Sequence, residues 1–328
     1  MTTDFAPTRQ RFSPLSILER YGVIVAWVIV IVVFSILRPA TFPTAGTVSL
    51  ILGTQTVILI ATLGLMLTLA VGEIDLSVGS VVGFGACLMV VLNGTTGLNV
   101  WLSVLLTLVA CALFGLMNAA LTVLVGVQSI IVTLASGTLL AGITLAVTGS
   151  KVVTGMDPAL ISLISTRWFG IPIPFYFGVA LTIVLWFVMQ HTPIGRRMAF
   201  VNANRVVARL AGIRVDRIRT GGLIATATLA GLAGIVLAGQ NGAANPQAGT
   251  YYLLPAFAGA FLGSTTIKPG TFNAFGTWVA VYFLITGITG LVYLGFAGWP
   301  EQVFYGASLL VAVSLGVLAR RRQRGGTT

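Results

Sequence analysis

Gly72-Glu73-Ile74-Asp75-Leu76-Ser77-Val78-Gly79-Ser80 is the stretch that decides how this chain is read. It joins two long apolar runs, and Glu73 and Asp75 are the only formally charged residues between Arg38 and Lys151. A carboxylate near the middle of a bilayer costs about 2.5–3.5 kcal/mol on insertion scales, so such groups are buried in a bundle, paired, or put to use. Two of them in an otherwise uncharged stretch argue against an ordinary soluble domain. They argue for a polytopic membrane protein whose backbone is interrupted at this point.

The rest of the chain agrees. Of 328 residues, 57% are hydrophobic and 8% charged, where a soluble domain carries about 25% charged residues. Apolar runs recur at lengths close to the ~20 residues that cross a hydrocarbon core. The alternating pattern of a membrane β-barrel is missing, and helices satisfy their backbone polar groups internally. The expected fold is therefore all-α: a polytopic membrane helical bundle of about ten transmembrane helices. They fall near residues 21–37, 48–71, 76–92, 99–125, 129–148, 173–190, 220–239, 251–267, 272–294 and 301–319. Hydropathy suggests two similar halves, spans two to five and seven to ten, without a residue-level repeat. Residues 1–20 read as a cytoplasmic N-terminal arm, 21–319 as one transmembrane domain interrupted by the Arg-rich loop 191–219, and 320–328 as a basic cytoplasmic tail. Tyr21–Leu37 runs into Arg38-Pro39 without a cleavage signature, so it reads as a retained first span.

A net charge of +11 invites a nucleic-acid partner, but its placement argues otherwise. The basic residues gather in the arm (Arg9, Arg11, Arg20), at Arg38, in Arg196–Arg219 and in Arg320–Arg324; only Lys151, Arg167 and Lys268 lie elsewhere. Basic clusters that punctuate apolar spans mark cytoplasmic loops facing anionic lipid. Ten crossings place both termini and the Arg-rich loop inside. They leave outward loops at 93–98, 149–172, 240–250 and 295–300, which hold only Lys151, Asp157 and Arg167.

Enzyme chemistry finds little footing. Cys87 and Cys111 lie inside apolar spans without a paired-cysteine spacing, and read as small core residues. His191, the lone histidine, ends an apolar span without catalytic or metal-ligating neighbours. No Gly-x-x-x-x-Gly-Lys loop cradles a nucleotide, so no cofactor is expected on this chain.

Two segments carry the functional expectation. In the opening stretch, Gly72 lets one helix end sharply, and Asp75 is placed to accept hydrogen bonds from the free N–H groups of the next. The turn reads either as a capped structural break or as a place where Glu73 or Asp75 gates a pathway or anchors a network at its inner end. In the Arg-rich loop, Pro193 and Gly195 disfavour continuation of the sixth helix, and Ala203–Ala211 predicts a short amphipathic helix stopped at Gly212. Arg205 and Arg209 share one side of it, while Val206, Leu210 and Ile213 form an apolar ridge. Such a helix lies on anionic lipid or docks onto a cytoplasmic partner.

Together these segments resemble the integral permease subunits of ribose-type ATP-binding-cassette (ABC) importers. The family's Gly-x-x-Asp-Leu-Ser-x-Gly-Ser turn is matched by Gly72–Ser80, and its Ile-Val-Thr-Leu segment by Ile131–Leu134. Its Thr-x-x-Gly-Arg element is matched by Thr192–Arg196, and its Asn-x-x-Ala-Ala-Arg-Leu-x-Gly-Ile stretch by Asn204–Ile213, with Val207 departing from the pattern. The likeness runs over most of residues 20–320. Departures fall at Tyr251–Pro255, Leu262–Thr266 and Thr289–Leu291, where the family often carries other residues near its pathway.

The resemblance implies a permease working as a homo- or heterodimer in the bacterial cytoplasmic (inner) membrane. A periplasmic or lipid-anchored sugar-binding protein delivers substrate outside, and a separate ABC ATPase holding ATP and Mg²⁺ docks inside. It implies coupling residues Gly195, Arg196, Asn202, Asn204, Arg205, Arg209, Leu210 and Gly212, and a turn motif of Gly72, Glu73, Asp75, Leu76, Ser77 and Gly79. Polarity or aromaticity within spans picks out Gln55, Asn118, Gln128 and Phe257 as pathway-lining candidates, each equally suited to helix packing. The rival reading is a proton- or sodium-coupled secondary transporter with Glu73 and Asp75 as its ion site. Against it, no basic partner or second acidic site lies within the other spans.

Overall fold

The computed structural model describes residues 14–296 and 298–325; Arg9 and Arg11 of the basic arm and the last three residues of the tail lie outside them. The chain builds helices α1 (Pro14–Leu37), α2 (Ala45–Thr54), α3 (Thr56–Ala70), α4 (Val78–Val90), α5 (Val100–Ala119), α6 (Ser129–Thr148) and α7 (Pro158–Ser165). It continues through α8 (Ile173–His191), α9 (Pro193–Ala203), α10 (Arg205–Leu210), α11 (Val215–Asn241), α12 (Thr250–Gly263), α13 (Ala274–Tyr293) and α14 (Trp299–Gly325). Single π-helical turns, Val91–Thr95 and Ala120–Leu124, extend α4 and α5. Every expected span coincides with a helix or a bent pair.

Among the described residues, seven helices are long and apolar enough to cross a membrane, or up to eight if α2 and α3, bent by 40°, count as one span. The α12 helix is 14 residues long, with Pro255 inside it, shorter than the ~20 residues of a straight helical crossing. The bend at Gln55 is supported from other helices. The carbonyls released there are taken over by distant side chains: Tyr282 donates its hydroxyl to the Leu52 oxygen at 3.2 Å, and Gln240 Nε2 donates to the Gly53 oxygen at 3.1 Å. A helix breaks where such partners satisfy the freed groups.

At the centre stands α11, packed against α3, α4 and α5. Small residues bring the backbones together. A Cβ on Gly85 would lie 3.0 Å from the Gly231 Cα, and one on Gly234 would lie 2.6 Å from the Ala86 nitrogen. Close approach of this kind supplies the van der Waals contact that holds helices together in lipid, where burial from water does not. Thr68 and Thr226, both buried, share a hydroxyl–hydroxyl bond across α3 and α11. The packing partners repeat between the halves: α4 lies on α6 as α12 lies on α14, and α11 crosses α4 as α3 crosses α12.

The loops sort onto two ends. At one, Val153–Thr154 pairs antiparallel with Ala243–Ala244, and Asn93 Oδ1 accepts from the Asp157 N–H at 2.6 Å. The hairpin Arg167–Pro172 joins them, its Gly170 carbonyl accepting from Ser49 Oγ at 2.6 Å. At the other end lie the 71–77 turn, the Arg-rich loop and the 264–273 loop, where the Ile267 N–H donates to the Arg20 carbonyl at 2.9 Å. The start of α1 and the Arg-rich loop therefore share an end of the molecule.

Candidate functional site

The two segments singled out in the sequence meet. Glu73, 4% exposed, accepts on a single oxygen, Oε1, from two guanidinium groups: Arg205 Nη2 at 2.7 Å and Arg219 Nε at 2.6 Å. Arg205 Nη2 also donates to the Gly72 carbonyl at 2.8 Å. A charge-assisted cluster thus ties the α3–α4 turn to both α10 and α11, with Arg219 largely buried and Arg205 at the rim.

This corrects one expectation: Glu73 does have basic partners. The seventh helix begins at Val215, ahead of the expected start near 220, and so carries Arg219 inward with it. It starts early because Val215, buried with Val201 and Ala208 and flanked by Ile213 and Ile218, closes a small apolar core under the loop.

Around Glu73 the turn is held from every side. Gly72 sits at φ +76°, a left-handed conformation open to glycine, and a Cβ there would lie 3.0 Å from Asn202 Oδ1. Asp75 Oδ1 accepts from the Ser77 N–H at 2.8 Å and from its hydroxyl at 2.6 Å, just ahead of α4. The carboxylate therefore secures the entry to α4 rather than N–H groups within it. Ser129 Oγ accepts from the Ile74 N–H at 3.2 Å, and Thr133 Oγ1 from the Leu76 N–H at 2.9 Å, so the start of α6 is bonded to the turn backbone. Thr133 lies in the Ile131–Leu134 segment, which acts here as a clamp on the turn. Gly79 packs against the carbonyl of Gly249, 2.6 Å from where a Cβ would stand.

The Arg-rich loop folds as three pieces. After Thr192 the chain turns into α9, and a Cβ on the buried Gly195 would collide with the Met189 backbone. The amphipathic helix is shorter than Ala203–Ala211. It begins at Arg205 because Asn204 Oδ1 caps it, accepting from the Val206 and Val207 N–H groups at 2.9 and 3.1 Å, and it stops at Gly212, φ +77°. Its arginines part company: Arg205 turns in to Glu73, while Arg209 reaches Asp216 at 3.2 Å with both groups exposed. The apolar ridge stands out as Leu210 (83% exposed), Val206 and Val207, and Ile213 turns back toward the apolar core beneath. Arg196 and Asn202 rim a cavity beside α9.

Losing the Asn204 cap costs about 1 kcal/mol. In a helix of six residues that is enough to fray it, so Asn204→Ala is expected to raise amide exchange across 205–210 while leaving α11 protected. Equal protection in the variant would contradict the capping role.

The pathway candidates scatter. Asn118 joins the turn, its Nδ2 donating to Ser77 Oγ at 3.2 Å, and Phe257, half-buried, stacks on Phe261 against the core. Gln128 is exposed at the start of α6. Gln55 sits at the α2–α3 bend with its Oε1 buried and unpartnered. His191 is exposed and lies edge-on to Trp186, 4.7 Å between ring centroids. Cys87 and Cys111 are free and buried.

Fold and turn together define a multi-pass helical membrane protein with an Arg-rich loop bonded to a break between spans. A family model described as the permease component of branched-chain amino acid transport systems matches residues 47–313. The chain belongs to this permease family, in its ribose-type branch. The ribose import permease protein RbsC of Escherichia coli (strain K12) is 30% identical over 320 residues, 95% of this chain and 98% of that protein. The autoinducer 2 import system permease protein LsrD of Photorhabdus laumondii is 32% identical over 273 residues, covering 80% of this chain and 81% of its own. The D-allose transport system permease protein AlsC of Escherichia coli is 27% identical over 299 residues, 90% and 91% of the two chains. No solved structure matches.

Proposed function

We propose that this chain is the transmembrane subunit of a binding-protein-dependent ABC importer for a monosaccharide or related small sugar, located in the bacterial inner membrane. The relatives named for ribose, allose and autoinducer 2 support the substrate class over the branched-chain amino acids of the family's description. In this reading the chain spans the membrane ten times with both termini cytoplasmic and pairs with a second permease subunit, identical or related. It receives its cargo from an external binding protein, and ATP and Mg²⁺ are held by a separate cytoplasmic ATPase.

The observation that carries the mechanism is the linkage of an exposed apolar ridge to a break between spans. Val206, Val207 and Leu210 face out from α10, and Arg205 on the same helix is bonded to Glu73 and Gly72. An ATPase that grips the ridge moves the α3–α4 turn with it. Alternating access then requires two arrangements of the spans with different contacts at α10, biased by the nucleotide state of the partner. The ion-coupled alternative loses ground because the Glu73 oxygen nearest α10 is already occupied by two guanidinium groups.

Leu210→Asp is the direct test. The side chain is 83% exposed, so the variant is expected to fold and insert normally. ATP-driven uptake in proteoliposomes with a candidate ATPase and binding protein should fall roughly tenfold or more, the scale of one interface hot spot. Full uptake in the variant would remove α10 as the coupling surface. Uptake by the chain alone, abolished by collapsing an ion gradient, would restore the secondary-transporter reading.

A further inference from the structure

A cavity of about 530 Å³ opens at the end of the molecule that carries the Arg-rich loop, between the end of α8, α9 and the 264–273 loop. Its rim carries two cations, Arg196 from α9 and Lys268 from the loop, with the side-chain amides of Gln190 and Asn202. Its wall is mixed, with Met189, Met198 and Phe272 forming an apolar part beside Thr271 and Asn273. No aspartate or glutamate lines it, and among the described residues neither cation has a carboxylate within salt-bridge distance. Among the described residues Lys268 Nζ donates to Gln190 Oε1 alone, at 3.0 Å, which holds the ammonium at the rim without neutralising it.

In the Arg-rich loop Arg205 and Arg219 are bound to Glu73 and Arg209 to Asp216; Arg196, like Arg197, Arg214 and Arg217, has no carboxylate partner among the described residues, and it differs from those three in sharing a cavity with Lys268. A guanidinium and an ammonium lining one cavity without a carboxylate match the oxygens of a phosphoryl group. Basic pockets between transmembrane helices near a membrane surface also take phospholipid headgroups, and the apolar part of the wall suits the glycerol end of such a molecule.

We propose that this cavity is a binding site for a phosphoryl anion, supplied either by the headgroup of an anionic phospholipid or by free phosphate. Because Arg196 and Asn202 both belong to α9 and Asn202 abuts Gly72, occupancy braces α9 against the 264–273 loop beside the Glu73 cluster. The site does not depend on which solute is carried, so it is tested on the full chain without its partners.

The purified chain is incubated with phosphatidylglycerol or phosphatidylcholine and retained lipid is read by native mass spectrometry. In parallel, its thermal midpoint is measured with inorganic phosphate against chloride at matched ionic strength. The cavity double variant Arg196→Gln/Lys268→Gln is compared with Arg197→Gln/Arg214→Gln, which removes equal charge outside the cavity. Both cavity cations are exposed, so folding is expected to survive, and Lys268→Gln alone supplies an intermediate. Selective retention of phosphatidylglycerol, weakened about fivefold per cavity cation and unchanged in the control, supports the site with a lipid as source. A phosphate-specific thermal shift lost only in the cavity variant, without lipid selectivity, supports it with free phosphate as source. Equal losses in the control, or no preference for either phosphoryl ligand, overturns the proposal.

Discussion

Glu73→Gln is expected to unfold this protein at a markedly lower temperature in detergent and to abolish transport. The substitution keeps the shape of the side chain and removes its charge, leaving two guanidinium groups facing a neutral amide. Arg219 is 13% exposed, so it has little water to fall back on. Breaking a buried ion pair by removing one partner costs about 3–5 kcal/mol. Arg205, at 40% exposure, is partly rehydrated and adds little. The companion variant Glu73→Gln/Arg219→Met removes the orphaned charge as well, and replacement of a buried pair by apolar groups is often close to neutral. The thermal midpoint should therefore recover in the double variant. A single variant as stable as the parent would mean that the cluster contributes nothing to the fold.

Gly234→Val is the second large effect, acting on packing alone. A Cβ at this position meets the Val82 carbonyl and stands 2.6 Å from the Ala86 nitrogen and 3.0 Å from the Gly85 carbonyl carbon. All three are backbone atoms of α4, so no side chain can swing aside, and the whole helix has to retreat from α11. Overpacking of a well-filled interior costs about 1–3 kcal/mol and more where the backbone itself has to move. The expected result is loss of monodisperse protein on size exclusion. Gly142→Ala is the control: nothing lies within 4 Å of its added methyl group, and a helical Gly→Ala change is worth about 0.5–1 kcal/mol in the other direction. If both variants behaved like the parent, the α4–α11 seam would not be the tight junction described.

How much of this was legible in the sequence differs from feature to feature. The helical membrane class followed from the scarcity of charge, because a bilayer penalises ions wherever they stand. The two functional segments were also legible, each by a local peculiarity: paired carboxylates in an apolar desert, and a basic amphipathic stretch flanked by Pro193 and Gly212. Their contact was not. Glu73 and Arg219 are far apart in the chain, and nothing local to either residue names the other. The early start of α11 was hidden for a related reason, since Val215 and Ile218 are helical because they cover Val201 and Ala208, not through any local periodicity. The bend at Gln55 escaped because its cause lies on α11 and α13, in Gln240 and Tyr282. Polarity within a span serves several ends and does not by itself mark a pathway: Asn118 secures the turn and Gln128 faces outward.

The two hydrogen bonds accepted by a single carboxylate oxygen have a mechanical consequence. Leu210 and the Gly72 backbone are separated by just over one turn of α10 and the Arg205 side chain. Arg219 meanwhile pins the same oxygen from α11. In the proposed importer the three helices form a lever whose fulcrum is Glu73, so that a load applied at the tip of α10 would be passed to the ends of α3 and α11.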